Sequence, residues 1–262
     1  MLRESFNNPQ RSPWIQANFD GIALSTRGSR EVVFNETLTA TETELSRALG
    51  VRQTPAMMFL DANNKVVFRS DGYRTPKDLD RLLRYVSSKS YMRMDLASYI
   101  KKSETGARYA LRSHDLFTNT DNLALTEKPV MVIFEDAYCD GCDLMHDTLL
   151  KNAQVNGLMR AMLVVRLDAD SEAPLTIPDG TRTTPKAWAR ALELDARPGI
   201  VLFAEGKELV RIAGVLRRFH FQTALQYVAE EHYVFHASLR DFSRAHREKL
   251  LSEGKTVDLG VQ

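Results

Sequence analysis

Short apolar runs alternate along this chain with stretches whose apolar residues recur at helical spacing, and the alternation occurs twice. In the first half, Thr41 with Glu44 forms a capping box that opens an amphipathic helix, and Pro55 introduces the apolar run MMFL. A turn at Asn63-Asn64 leads into KVVFRS, so the two runs predict a hairpin. Thr75, Pro76 and Asp78 then supply a cap, a first-turn proline and a capping acid for a closing helix. In the second half, Thr184 and Pro185 open a helix, Pro198 introduces IVLF, Glu205-Gly206 turns the chain into ELVRIAG, and another helix follows. Both proline-led runs read as strands buried on both faces.

The two halves superpose at a period of about 142 residues, which suits a duplicated domain rather than a solenoid. ELSRALGVRQTPAMMFL (44–60) lies over AWARALELDARPGIVLF (187–203). With a one-residue slip, Arg69 then meets Arg211, Gly72 meets Gly214, Tyr85 meets Tyr227 and Tyr91 meets Tyr233. Only the second half shows what comes earlier: the apolar strand KPVMVIFED, one long helix over CDGCDLMHDTLLKNAQVNGLMRA, and the strand MLVVRLDAD. MLRESFNNPQ at the start of the chain aligns with MHDTLLKNAQ (145–154). The first half is therefore expected to begin inside the helix that should follow its own strand, with an upstream segment missing. A sheet with that slot unfilled could dimerise by exchanging a strand.

Composition narrows the function. Thirty-five Lys and Arg against 34 Asp and Glu leave a net charge of +1, which gives no field for nucleic acid or anionic lipid. No apolar run approaches the roughly 20 residues that cross a bilayer, and the stretch MLRESFNNPQRSPW lacks the apolar run expected of a signal peptide. The two cysteines, Cys139 and Cys142, stand together in YCDGCD. They are too few for a disulfide framework, which leaves a local redox or reactive pair.

Thiol–disulfide exchange needs one exposed thiolate that attacks, here Cys139, and a second thiol near enough to resolve the mixed disulfide. Cys139 at a helix start would have its pKa lowered from about 8.5 by unpaired amides, and Cys142, one turn inside, would resolve. Asp140 would oppose that shift, and Gly141 would let a substrate backbone approach at a cost of about 1 kcal/mol in helix propensity. Three other readings stay open: an inert or purely structural pair, a redox-inactive binding or adaptor module, and a metal carrier in which Cys139, Cys142 and His146 hold a soft ion. Trp14 and Trp188 read as core, and His232 and His236 as ordinary side chains of the closing helix.

Strand, C-x-x-C, helix, strand, helix, proline-led strand, hairpin and helix together resemble the thioredoxin superfamily. The ending SLRDFSRAHREKLLSEGKTVDLGVQ is similar to tails of periplasmic thioredoxins of bacterial sulfur oxidation. The resemblance implies an α/β protein of tandem thioredoxin-like folds, each a mixed sheet flanked by helices. The first, residues 1–104, is incomplete and has no cysteines; the second, residues 105–262, carries C-x-x-C and a helical tail. It implies thiol–disulfide exchange on protein or small-molecule thiols, no cofactor beyond the dithiol, and a periplasmic setting. Pro198 would be a cis-proline guiding substrate, and Arg197 would place its backbone, and a cation, near Cys139. Tyr138 stands where thioredoxins carry Trp, and Gly214 lines the substrate groove. Where thioredoxin has a buried Asp this chain has Ile133; Glu135 and Asp136 are nearer, but on alternation they face opposite sides with at least one solvated. Inefficient reductase turnover is the expectation.

Overall fold

The computed structural model describes residues 6–51, 54–124 and 126–255; the start at Met1 and the last residues of the tail lie outside them. The chain divides into two compact units, Met1–Thr105 and Gly106–Gln262.

Unit 1 opens with α1 (Ser12–Asn18) and a hairpin of β1 (Glu31–Asn35) and β2 (Leu38–Thr41). Helix α2 (Glu42–Ala48) starts on the expected capping box, with the Thr41 side chain accepting from the Glu44 N–H. The proline-led hairpin follows as β3 (Ala56–Leu60) and β4 (Val66–Asp71), antiparallel and joined through Asn64 at positive φ. Helix α3 (Pro76–Ser87) starts at Thr75, whose side chain accepts from the Asp78 N–H, and α4 (Leu96–Ser103) starts at Asp95. The core gathers Leu82, Tyr85, Leu79 and Leu83 with Phe19, Phe59 and Phe68, and Trp14 is only partly buried.

Unit 2 holds a four-stranded sheet ordered β10-β9-β5-β6, made of β5 (Val130–Glu135), β6 (Leu163–Asp168), β9 (Gly199–Ala204) and β10 (Lys207–Ala213). β5 runs parallel to β6 and antiparallel to β9, which makes the sheet mixed. All the residues of β5 and β9 are buried, as continuous apolar runs in a sheet covered on both faces should be. Met131, Ile133, Ile200 and Leu202 pack on one face with α6 (Ala153–Met159) and α8 (Arg218–Ala229). Val132, Phe134 and Val201 pack on the other with Trp188 of α7 (Pro185–Ala191). A short hairpin, β7 (Leu175–Thr176) with β8 (Arg182–Thr183), precedes α7 as β1–β2 precedes α2, and α9 (Leu239–Ser252) closes the chain.

Three expectations are corrected. β3 is not buried on both faces: its residues are half-buried, and Leu60 is 41% exposed. Among the described residues β4 is its sole strand neighbour, so its other edge joins no ladder. The long helix after the cysteines is three pieces: α5 (Cys142–Leu144), a π-turn over Met145–Leu149, and α6, which restarts because the Asn152 side chain accepts from the Gln154 and Val155 N–H groups. His232 and His236 stand at and after a 3₁₀ turn (His232–Val234), between α8 and α9 rather than on a helix.

A candidate redox site built on Cys139 and Cys142

β5 delivers the chain to the site. Beyond Glu135 it turns tightly, with the Asp136 carboxylate accepting from the Tyr138 N–H at 2.9 Å and the Asp136 carbonyl from the Cys139 N–H at 3.2 Å. Cys139 and Cys142 are joined by a disulfide, with Cα atoms 5.5 Å apart. The helical turn starts at Cys142, so Cys139 precedes it and spends its amide in the turn. The expected placement of Cys139 at a helix N-terminus is thereby corrected. So is its exposure: Cys139 is 2% exposed and Cys142 fully buried, packed with Tyr109 and Leu111.

Facing the pair is the Arg197–Pro198 peptide, which is cis. A Cβ at Gly141 would lie 3.1 Å from the Arg197 carbonyl oxygen, 3.1 Å from Pro198 Cδ and 2.9 Å from Val215 Cγ2. A side chain at 141 would therefore crowd both the chain's own proline loop and Val215. Gly214, at φ +85°, donates its N–H to the Pro198 carbonyl at 2.9 Å and fixes the loop from behind. Tyr138 and Asp140 are half-buried beside the pair, and the Arg108 guanidinium stands 3.9 Å from the Asp140 carboxylate, offsetting part of the negative field that Asp140 would put on a thiolate.

The Arg197 side chain is not free for a substrate. Its guanidinium lies 2.9 Å from the Asp136 carboxylate and donates to the carbonyls of Leu194 and Ala196. A charge this enclosed persists only with such partners. The expectation that Glu135 or Asp136 is solvated also fails, since they are 0% and 4% exposed. β5 ends at Glu135 and the chain turns, so the period of two no longer applies.

Sequence reasoning missed what Glu135 does. One carboxylate oxygen accepts from the Tyr109 hydroxyl at 2.9 Å and the other lies 2.7 Å from His146 Nε2. Burial first, and then the Glu135 charge and hydrogen bond, push the Tyr109 hydroxyl far above its usual range, so it stays a donor at neutral pH. The π-turn contains His146, which is 4% exposed between the rings of Tyr109 and Phe117. Its imidazole is taken up by Glu135 and both sulfurs by each other, and no group of three His, Cys, Asp or Glu side chains suited to a metal ion occurs among the described residues. That arrangement does not support the metal-carrier reading.

No helix of the described residues is long and apolar enough to cross a membrane. Comparison with solved structures finds a thioredoxin-fold protein from Helicobacter pylori, 13% identical, with a TM-score of 0.47, over 53% of this chain and 92% of that one. It also finds a thioredoxin from Thermus thermophilus, 25% identical with a TM-score of 0.31, over 38% of this chain and 73% of that one. A third is the oxidised C-terminal domain of DsbD from Neisseria meningitidis, 18% identical with a TM-score of 0.30, over 38% and 80%. No curated protein matches the chain. The family model described as a thioredoxin-like domain matches residues 1–87 and again 116–229, one stretch in each unit, and on that match the chain belongs to the thioredoxin-like family.

Proposed function

We propose that this chain is a thiol–disulfide oxidoreductase whose working centre is the Cys139–Cys142 pair. One observation carries the reading: a disulfide between cysteines three residues apart, set against a cis-proline loop so closely that a Cβ at position 141 would lie 3.1 Å from both the Arg197 carbonyl oxygen and Pro198 Cδ. In the oxidised form a substrate thiolate attacks Cys139 Sγ, the Cys139–Cys142 bond breaks, and its electron pair leaves on Cys142 Sγ, which takes a proton. A second substrate thiol gives up its proton and attacks the mixed disulfide. The Cys139 thiolate leaves, the substrate is oxidised to a disulfide and the chain is left as a dithiol. The reverse sequence reduces a substrate disulfide, and a partner dithiol or disulfide restores the starting form. Pro198, Gly214 and the Arg197 backbone guide the substrate chain, with Tyr138, Asp140 and Gly141 as the facing wall. The Arg197 side chain acts only to hold Asp136.

The substrates belong to this proposal, as protein or small-molecule thiols, with no cofactor beyond the dithiol. The kinship with sulfur-oxidation thioredoxins and the periplasmic setting rest on the tail sequence; finding the native chain in the cytosolic fraction with its pair reduced would remove the setting. Turnover of insulin with dithiothreitol tests the activity. Cys139→Ala should lose at least about a hundredfold in rate, and Cys142→Ser should accumulate a mixed disulfide visible by mass spectrometry. A Cys139→Ala chain that turns over like the wild type ends the reading. The burial of Cys139 favours one rival, a redox-inactive binding module, and partner capture undiminished in the Cys139→Ala, Cys142→Ala double variant would select it.

A further inference from the structure

Residues 106–114, GARYALRSH, form neither helix nor strand. They run past the cysteine pair with alternate residues turned inward: Arg108 and Ala110 are exposed, Tyr109 is 5% exposed, and Leu111 is partly buried. Tyr109 and Leu111 are the side chains packed with Cys139 and Cys142. The segment is pinned by the N–H groups of Arg108 and Tyr109, both bonded to the Ala137 carbonyl at 2.8 and 3.2 Å, and by the Tyr109 hydroxyl on Glu135. Further along, the Arg112 guanidinium reaches Asp143 and Asp147 at 3.2 and 2.9 Å, on the turn that follows the cysteines.

We propose that this segment is a strap that gates the redox centre, with Tyr109 as its latch. The inference rests on the oxidoreductase reading above. Thiol–disulfide exchange needs an incoming sulfur to reach the sulfur it attacks, and a Cys139 that is 2% exposed offers no such path. The strap is the part of the cover that lacks a ladder or helix of its own, held by discrete side-chain and loop ties, while the opposing proline loop belongs to a hairpin buried in the sheet. Such a segment opens locally at far lower cost than the fold as a whole. The polar tie of Tyr109 to Glu135 closes the strap in one position, because breaking it leaves a buried carboxylate short of a donor. The closed strap shields the disulfide from thiols in bulk solution, and a substrate gains access only as the strap lifts.

The full chain, oxidised, is mixed with dithiothreitol over a wide concentration range, quenched in acid and alkylated, and reduction is counted by mass. A gated site reacts in proportion to reagent at low concentration and reaches a plateau at the opening rate when reagent is abundant. Tyr109→Ala should raise the low-concentration rate about tenfold and remove the plateau. Tyr109→Phe, which keeps the ring and loses the hydroxyl, should fall between. If Tyr109→Ala does not fold, Leu111→Ala gives the same reading with a smaller gain. The reduction potential of the pair, measured against glutathione, should stay within about twofold in the equilibrium constant, since a gate speeds both directions alike. A wild-type rate that climbs linearly to the highest reagent concentration overturns the gate, and so do variants that shift the potential while leaving the rate law unchanged. Either result leaves the Cys139→Ala turnover test untouched, so the gate and the oxidoreductase reading fail separately.

Discussion

In unit 2, β9 has β10 on one side and β5 on the other, and every residue of it is buried; in unit 1 its counterpart β3 is paired with β4 alone among the described residues and is half-buried. The hairpins are otherwise built alike. Thr54–Pro55 and Arg197–Pro198 are both cis, and Gly72 donates to the Pro55 carbonyl at 2.8 Å as Gly214 does to Pro198 at 2.9 Å. The Tyr85 hydroxyl donates to the Met94 carbonyl at 2.8 Å, and the Tyr227 hydroxyl to His236 at 3.0 Å. Local geometry is thus held by short-range ties that survive in both copies, whereas burial depends on which strands stand alongside. Residues 19–25 make the same point. They occupy the place of β6 in the repeat, and among the described residues no strand like β5 pairs with them and Ile22 is 79% exposed.

The largest expected difference is therefore in stability. Each unit carries one tryptophan, so Trp14→Phe and Trp188→Phe chains report the two units separately in a urea titration. Unit 1 should lose structure at the lower denaturant concentration. Within that frame Ile200→Ala, at a fully covered position of β9, should cost about 2–5 kcal/mol through lost contacts and a cavity. Leu60→Ala at the exposed end of β3 should cost under about 1 kcal/mol. Coincident transitions for the two tryptophans, or equal costs for the two substitutions, would break the comparison.

A smaller effect should be equal in both units. In unit 1 the Arg69 guanidinium donates to the carbonyls of Leu49 and Gly50 at 2.8 and 2.7 Å, and in unit 2 Arg211 donates to the carbonyl of Leu192, the residue aligned with Leu49. Each arginine satisfies carbonyls that the end of a helix leaves without partners. Arg69→Ala and Arg211→Ala should each remove about 1–3 kcal/mol from their own unit, read in the same tryptophan-resolved titrations. A large loss in one unit with none in the other would show that the tie depends on the surrounding sheet.

The caps were legible in the sequence because each is a residue type at a fixed spacing, Thr41 with Glu44 and Thr75 with Asp78, and the repeat matched Pro55 to Pro198 and Gly72 to Gly214, though not the bond that joins each glycine to its proline. The cysteine pair was legible on the same terms, as two rare residues one turn apart. What surrounds it was not. Tyr109 lies in a stretch too short and irregular to register as a strand, and its partner Glu135 is remote along the chain. His146 was read on an unbroken helix, but the π-turn from Met145 changes the phase, which no spacing rule at 3.6 residues anticipates. The exposure expected of Cys139 failed for the related reason that helical periodicity was extended back to a residue held in a turn.

The smallest expected effect concerns the residue that ends the helix before each proline-led hairpin. Both copies need a left-handed residue there: Gly50 sits at φ +63° and Glu193, its counterpart, at φ +50°. Glycine enters that region freely, while a residue with a Cβ pays about 1–2 kcal/mol. Space is not the obstacle in unit 1, where a Cβ at Gly50 would come no nearer than 3.6 Å to the Arg69 guanidinium. Gly50→Ala should therefore destabilise unit 1 by about 1 kcal/mol through backbone conformation alone, and Glu193→Gly should stabilise unit 2 by about 0.5–1 kcal/mol once the greater freedom of glycine in the unfolded chain is deducted. If Glu193→Gly instead weakens unit 2, the glutamate side chain contributes more at the helix end than its backbone costs, and the two copies have diverged at a position where their geometry still agrees.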